Sequence, residues 1–96
     1  MKMMIIICPE TREREINDLI DRHGVHAFSQ IRDVIGAGKT GKKMGTQVWP
    51  GESILTFAVV EDSKSEELKD ALRSCAQELY PGEGMRTFVL AIEEVI

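Results

Sequence analysis

Residues 3 to 8 read Met-Met-Ile-Ile-Ile-Cys, six apolar side chains with no polar residue among them. A strand with one wet face alternates, so an unbroken run of this length reads as a strand buried on both faces. A second such stretch spans Ser53 to Val60, with Ile54, Leu55, Phe57, Ala58, Val59 and Val60. The first run is too short for a membrane span or for the core of a signal peptide. The expectation is a cytoplasmic protein in which Cys8 and Cys75 stay reduced.

Around these runs the period changes. Pro9 suits a first helical turn, and a helix is expected from about Glu10 to His23. Ile16, Leu19, Ile20 and His23 recur on one face of it, and Gly24 stops it. A second strand is expected from His26 to Ile35. Alternation puts Phe28, Gln30, Arg32 and Val34 on one side, and Ala27, Ser29, Ile31, Asp33 and Ile35 on the other. The third strand is Ser53 to Val60. After a turn at Glu61 to Ser65, a second helix is expected to reach about Tyr80. Its buried face would be Leu68, Leu72, Cys75 and Leu79. Ser63 with Glu66 reads as a capping box, with Ser65 as the competing cap. Pro81-Gly82-Glu83-Gly84 ends the helix, and a last strand runs from Met85 to Ile92.

The order is βαβ, loop, βαβ in a chain of 96 residues, which is the size of a single domain over residues 1–96. Right-handed crossovers fold it as an α+β ferredoxin-like βαββαβ sandwich, a four-stranded antiparallel sheet with both helices on one face. Two helices cover only one face. Strands one, three and four are apolar on both, so the bare face would exceed what a soluble monomer exposes. That face is expected to be buried against other copies in a closed, symmetric assembly.

The longest stretch without a period is Gly36 to Gly51. Within residues 36–45 it holds four glycines, three lysines and no acid, although the chain carries a net charge of −4. The overall charge argues against general nucleic-acid binding. Glycine lets backbone N–H groups face a ligand and lysine supplies charge, so the stretch suits an anion site, a docking loop, or both. A solvated hairpin tip is the plainer alternative. It is not a P-loop. In the register ending Gly38-Lys39-Thr40 the required first glycine is Asp33. In the register from Gly36, Lys43 replaces the magnesium-binding Ser or Thr, and no helix follows. Gly82-Glu83-Gly84-Met85-Arg86 is a second glycine cluster. In an oligomer it and the first loop could line a cleft between subunits with Lys39, Lys42 and Arg86; otherwise it is only a helix-to-strand turn.

Enzyme signatures are thin. No serine sits in an elbow motif, and the only histidines are His23 and His26. With Cys8 they make an incomplete set for a soft metal. Cys8-Pro9-Glu10-Thr11 is no phosphate cradle of the acylphosphatase kind. A binding protein rather than an enzyme is expected.

These residues resemble the PII (nitrogen-regulatory-type) signalling proteins and their PII-like relatives. Gly24-Val25-His26 and then Val34-Ile35-Gly36-Ala37-Gly38-Lys39 is similar to that family's second strand entering its long T-loop, commonly Val-x-Gly-x-Gly-Arg. Gly82-Glu83-Gly84 before Arg86-Thr87-Phe88-Val89 resembles its B-loop, and Ile92-Glu93-Glu94-Val95-Ile96 resembles the end of its fourth strand. The resemblance implies a homotrimer with adenine nucleotides (ATP, ADP or AMP) bound between subunits and no required cofactor. It also implies a T-loop-like segment, at about 36–51, that docks on a membrane transporter or metabolic enzyme. It assigns Ser29 to the ribose or base, Gly36, Gly38 and Lys39 to the loop base near phosphate, and Gly82, Gly84 and Arg86 to the B-loop. Lys42, Lys43 and Trp49 would belong to the docking loop. The segment has no tyrosine to be uridylylated. No Arg-x-Arg follows Ile96, so AMP, ADP, bicarbonate or a carboxylate become alternatives to ATP. Cys8-Pro9-Glu10, Trp49-Pro50-Gly51 and Tyr80-Pro81 are also reminiscent of the CutA-type trimers, for which Cys8, His23 and His26 would be the candidate metal ligands.

Overall fold

The computed structural model describes residues 1–38, 45 and 52–96, together with the backbone of 41–43. The elements run β1 (Lys2–Pro9), a 3-10 turn (Glu10–Arg12), α1 (Glu13–Arg22), β2 (Ser29–Val34), β3 (Gly36–Gly38), β4 (Gly41–Lys43), β5 (Ser53–Val60), α2 (Asp62–Gln77) and β6 (Arg86–Ala91). The main sheet has the order β2-β5-β1-β6, and its pairs are antiparallel. This is the expected ferredoxin-like sandwich. Strand β1 lies inside it, from Lys2 opposite Val60 to Pro9 opposite Ser53 on one side, and from Lys2 opposite Ala91 to Ile7 opposite Arg86 on the other. A strand paired along both edges and packed on one face explains the six apolar residues that begin the chain.

The period-2 geometry sorts β1 by face. Met4, Ile6 and Cys8 are buried beneath the helices with Ile54, Thr56 and Val60 of β5. Helix α1 contributes Ile16, Leu19 and Ile20, and α2 contributes Leu68, Leu72 and Cys75, at the helical spacing read in the sequence. The buried Thr56 is satisfied: Gln30 Nε2 donates to Thr56 Oγ1 at 2.9 Å and to Asn17 Oδ1 at 2.6 Å, tying β2 to both β5 and α1. Burial pushes the Cys8 thiol up to about 11, with Cys75, Glu13 and Glu15 adding to it. Burial and the hydrogen bond to Glu15 do the same for Cys75. Both thiols therefore stay protonated and behave as core side chains.

The opposite face is bare. By register it carries Met3, Ile5 and Ile7 of β1, Leu55, Phe57 and Val59 of β5, Ile31 of β2, and Phe88 and Leu90 of β6. Ile31, Val59, Phe88 and Leu90 are exposed. No helix among the described residues is long and apolar enough to cross a membrane.

Five local expectations need correction. Pro9 is the last residue of β1, with an extended ψ of 146°, and a 3-10 turn precedes α1, which starts at Glu13. The second strand begins at Ser29, not His26. The capping box does not form: α2 starts at Asp62 after Glu61, which makes no side-chain cap, and Ser65 instead donates its hydroxyl to the Asp62 carbonyl at 2.7 Å. Helix α2 ends at Gln77, which leaves Leu79 outside it. Finally, the alternation of β2 breaks. Ile31 pairs with Leu55 and Val34 with Ser53, so β2 spends one more residue than β5 between these pairs. Asp33 takes up the extra residue with a left-handed φ of 60°. The bulge turns Val34 to the bare face, opposite to the side that strict alternation gave it.

Candidate functional site

A cleft of about 480 Å³ opens at the end of the sheet where β1 and β5 meet the two glycine segments. Its volume falls within the range of small-molecule sites. The floor is apolar, from Ile7, Val34, Leu79, Met85 and Phe88. The rim is Gly36, Ala37 and Gly38 on one side, Glu83, Gly84 and Arg86 on the other, with Ser53 between. Two features missing from the sequence reading shape the floor. The bulge at Asp33 brings Val34 into it, and the early end of α2 frees Leu79 to line it.

The first rim is a two-stranded ribbon, with Gly36 opposite Lys43 and Gly38 opposite Gly41. Neither Gly36 nor Gly38 has a positive φ, and a Cβ at either would meet nothing within 4 Å. The fold of one chain therefore does not require glycine at these positions. Bare backbone beside a cleft is what close approach of a ligand requires. The second rim follows a tight turn, in which the Glu83 N–H donates to the Tyr80 carbonyl at 3.0 Å. Pro81 and Gly82 are its central residues, and Gly82 has φ 88°, the value a type II turn demands at its third position.

Charge is distributed unevenly over the cleft. Arg86 is exposed, lines the rim, and enters no ion pair among the described residues. Glu83 is the acid of the lining, and it is fully engaged. Arg12 donates from Nη2 to Oε1 at 2.7 Å and from Nε to Oε2 at 3.1 Å. The Tyr80 N–H reaches Oε1 at 2.8 Å, and the Thr11 hydroxyl reaches Oε2 at 3.3 Å. Arg12, then the Tyr80 N–H, hold the Glu83 carboxyl down at about 2. Glu83, and after it Glu15, raise Arg12 beyond its already high value.

Of the residues singled out from sequence, the cleft thus gathers Gly36, Gly38, Gly84 and Arg86 from one chain, where the sequence suggested a cleft between subunits and did not require the two loops to meet within one. Gly82 sits in the turn behind the rim and does not line it. Ser29 is exposed opposite Phe57, farther along the sheet, and is not part of the lining. Lys39 and Trp49 lie outside the described residues; Lys42 and Lys43 are placed by backbone only, in β4. The metal candidates do not meet. Cys8 is buried, His26 Nδ1 lies 2.9 Å from Asp21, and His23 Nδ1 lies 3.7 Å from Glu67. Among the described residues, Glu10, Asp33 and Glu52 form a group of acids with oxygens within 4.8 Å of one another. A hydrogen bond that protonated Glu52 donates to the Asp33 carboxylate raises the Glu52 carboxyl above its ordinary range. Sequence reading missed Arg12 and Glu83 as a pair, because nothing in the spacing of two charged residues 71 apart marks them as partners.

The family profile of nitrogen regulatory protein P-II matches residues 1–96. The chain belongs to the nitrogen regulatory protein P-II family. Solved structures resemble this P-II chain over most of its length. CPII, a nitrogen regulatory PII-like protein of Thiomonas intermedia K12 bound to ADP, AMP and bicarbonate, is 20% identical and superposes with a TM-score of 0.77, covering 93% of this chain and 88% of CPII. The apo form of CPII gives 17% identity and a TM-score of 0.67, over 93% of this chain and 87% of its own. A Thermus thermophilus protein assigned to PII-like signalling gives 16% and 0.66, over 92% of this chain and 82% of its own. At these identities the likeness is one of fold. No curated protein of established function matches this P-II sequence.

Proposed function

We propose that this P-II family chain is a trimeric, cytoplasmic sensor that binds an adenine nucleotide in the cleft between residues 36–38 and 83–86. Binding there changes how the 36–51 segment docks on a membrane transporter or metabolic enzyme. The reading takes residues 1–96 as one PII-like domain. The observation that carries it is the pair Gly36 and Gly38: the fold does not need them, yet they line the cleft opposite Gly84 and Arg86, which enters no ion pair among the described residues. Arg86 offers a charge-assisted fork to a phosphate, and the glycine walls let the ligand approach the backbone. The apolar floor offers a surface for a base or ribose. CPII, the relative bound to ADP, AMP and bicarbonate, supports this ligand class. Ser29 and Lys39 would complete the site from the sheet and the loop base, and Gly82 would shape the turn behind it. Lys42, Lys43 and Trp49 would form the docking face.

The bare sheet face supports the trimer. Nine apolar side chains from four strands would lie against those of neighbouring copies, and each cleft would be finished by the next subunit. The chemistry is recognition without turnover. Calorimetric titration with ATP, ADP, AMP and cyclic AMP, with and without bicarbonate, tests the reading. Saturable heat with at least one nucleotide is expected. Absence of heat with all four would remove the nucleotide from the proposal.

A further inference from the structure

We infer that Arg12, which does not line the cleft, tunes its charge by holding Glu83 and is thereby a positioning residue for the anionic part of the ligand. This rests on the nucleotide reading above. Glu83 is the acid on the cleft wall, and Arg86, on the same rim, is the cation of the lining among the described residues. An uncompensated carboxylate beside a phosphate site would cancel Arg86 and repel the ligand. Here the carboxylate faces a fork instead: Arg12 Nη2 lies 2.7 Å from Oε1, and Nε lies 3.1 Å from Oε2. The remaining acceptor positions go to the Tyr80 N–H and the Thr11 hydroxyl. Both partners are part-buried, at 16% and 17% side-chain exposure, so solvent screens the pair less than it would a fully exposed one.

The same arginine also holds the turn in place. Its Nη2 approaches the Glu78 carbonyl at 3.5 Å, and its guanidinium lies 5.2 Å from the centre of the Tyr80 ring. Nη1 is taken by Glu15 at 2.8 Å, and the other oxygen of Glu15 accepts from the Cys75 thiol at 3.2 Å. Arg12 is therefore fixed from the α1 side before it meets Glu83. Two effects are combined in one side chain: latching residues 78–83, and cancelling a negative charge on the cleft wall. Only the second makes Arg12 matter to the ligand once the turn has formed.

A variant set separates the two. AMP and ADP are titrated by calorimetry into the full chain, as wild type, Arg12→Met, Glu83→Gln and the double variant. Arg12→Met leaves the acid bare and is expected to weaken binding about tenfold or more, the scale of one uncompensated charge near an anion. Glu83→Gln keeps a hydrogen-bond acceptor for Arg12 and is expected to bind at least as tightly as wild type. The double variant lacks both latch and charge, and is expected to recover to within about threefold of wild type, since the two changes share one partner and do not add. If the double variant stays as weak as Arg12→Met, the latch alone matters and the inference falls. If Arg12→Met does not fold, Glu83→Gln decides: a large loss of affinity there overturns the charge argument, and retained or tighter binding upholds it. Wild-type binding that Arg12→Met leaves unchanged overturns this inference alone, whereas a wild type that binds neither nucleotide overturns the nucleotide reading and this inference together.

Discussion

Leu90 offers the sharpest test of how the bare face is used. It lies on β6 opposite Met3, points away from both helices, and is 45% exposed in the single chain. Full burial of a leucine stabilises by about 1.5–3 kcal/mol, so closing the remaining half contributes about 1 kcal/mol per protomer and about 3 kcal/mol over three. Replacement by aspartate does more than remove this. Each copy would have to desolvate a carboxylate against apolar neighbours, at a cost of several kcal/mol per ion. The assembly should then dissociate while the protomer survives, because Leu90 is outside the core under the helices. The assay is mass in solution by light scattering through a dilution series, with far-ultraviolet circular dichroism as the check on the fold. Wild type is expected at three times the 10.8 kDa chain mass, and Leu90→Asp at the chain mass with unchanged helix signal. A wild type that runs at 10.8 kDa, or a Leu90→Asp variant that keeps the wild-type mass, refutes the reasoning.

Three other outcomes are expected. Gly36→Ala and Gly38→Ala should leave the melting temperature of the ligand-free protein near wild type, since a Cβ meets nothing there, while nucleotide affinity measured by calorimetry drops. The Glu83 carboxyl is depressed from 4.5 to about 2 in the folded chain, so the stability it brings is complete above pH 4.5 and is lost as the pH falls toward 2. Melting curves across that range should slope less steeply for Glu83→Gln than for wild type, and parallel slopes would count against the pairing with Arg12. Glu52 has the opposite sign: its carboxyl is raised by the hydrogen bond it donates to the Asp33 carboxylate, so the stability this brings in acid is lost as the pH rises through its folded value. Glu52→Gln should therefore raise the melting temperature at pH 7 and make little difference in acid; a variant less stable than wild type at pH 7 would show that the carboxylate is needed.

Much of the fold was legible because burial wrote itself into the spacing. Ile16, Leu19 and Ile20 on α1 are periodic in the sequence, Met4, Ile6 and Cys8 belong to its first unbroken apolar run, and all six are buried in the structure. The glycine segments were legible as segments, and the cleft joins Gly36, Gly38, Gly84 and Arg86. What escaped depends on single residues in unusual conformations or on contacts distant in sequence. An aspartate at φ 60° gives no periodic signal, so the reversal of Val34 could not be read. Glu61 begins α2 without a side-chain cap, and nearby serines suggested a cap that the chain does not use. Arg12 is one of two arginines in Thr11-Arg12-Glu13-Arg14, and only the placement of the 80–83 turn against it singles it out.

The root of the 36–51 segment is pinned on both sides. Upstream, the Asp33 bulge sets Val34 opposite Ser53; downstream, the Glu10 N–H holds the Glu52 carbonyl at 3.0 Å. Both ends of the segment are therefore set by backbone pairing to β5 and to Glu10. On the sensor reading proposed above, residues beyond the ribbon of 36–38 with 41–43 are expected to be exchangeable for a different target while the walls of the cleft keep their places, so that what is sensed and what is instructed can be altered separately.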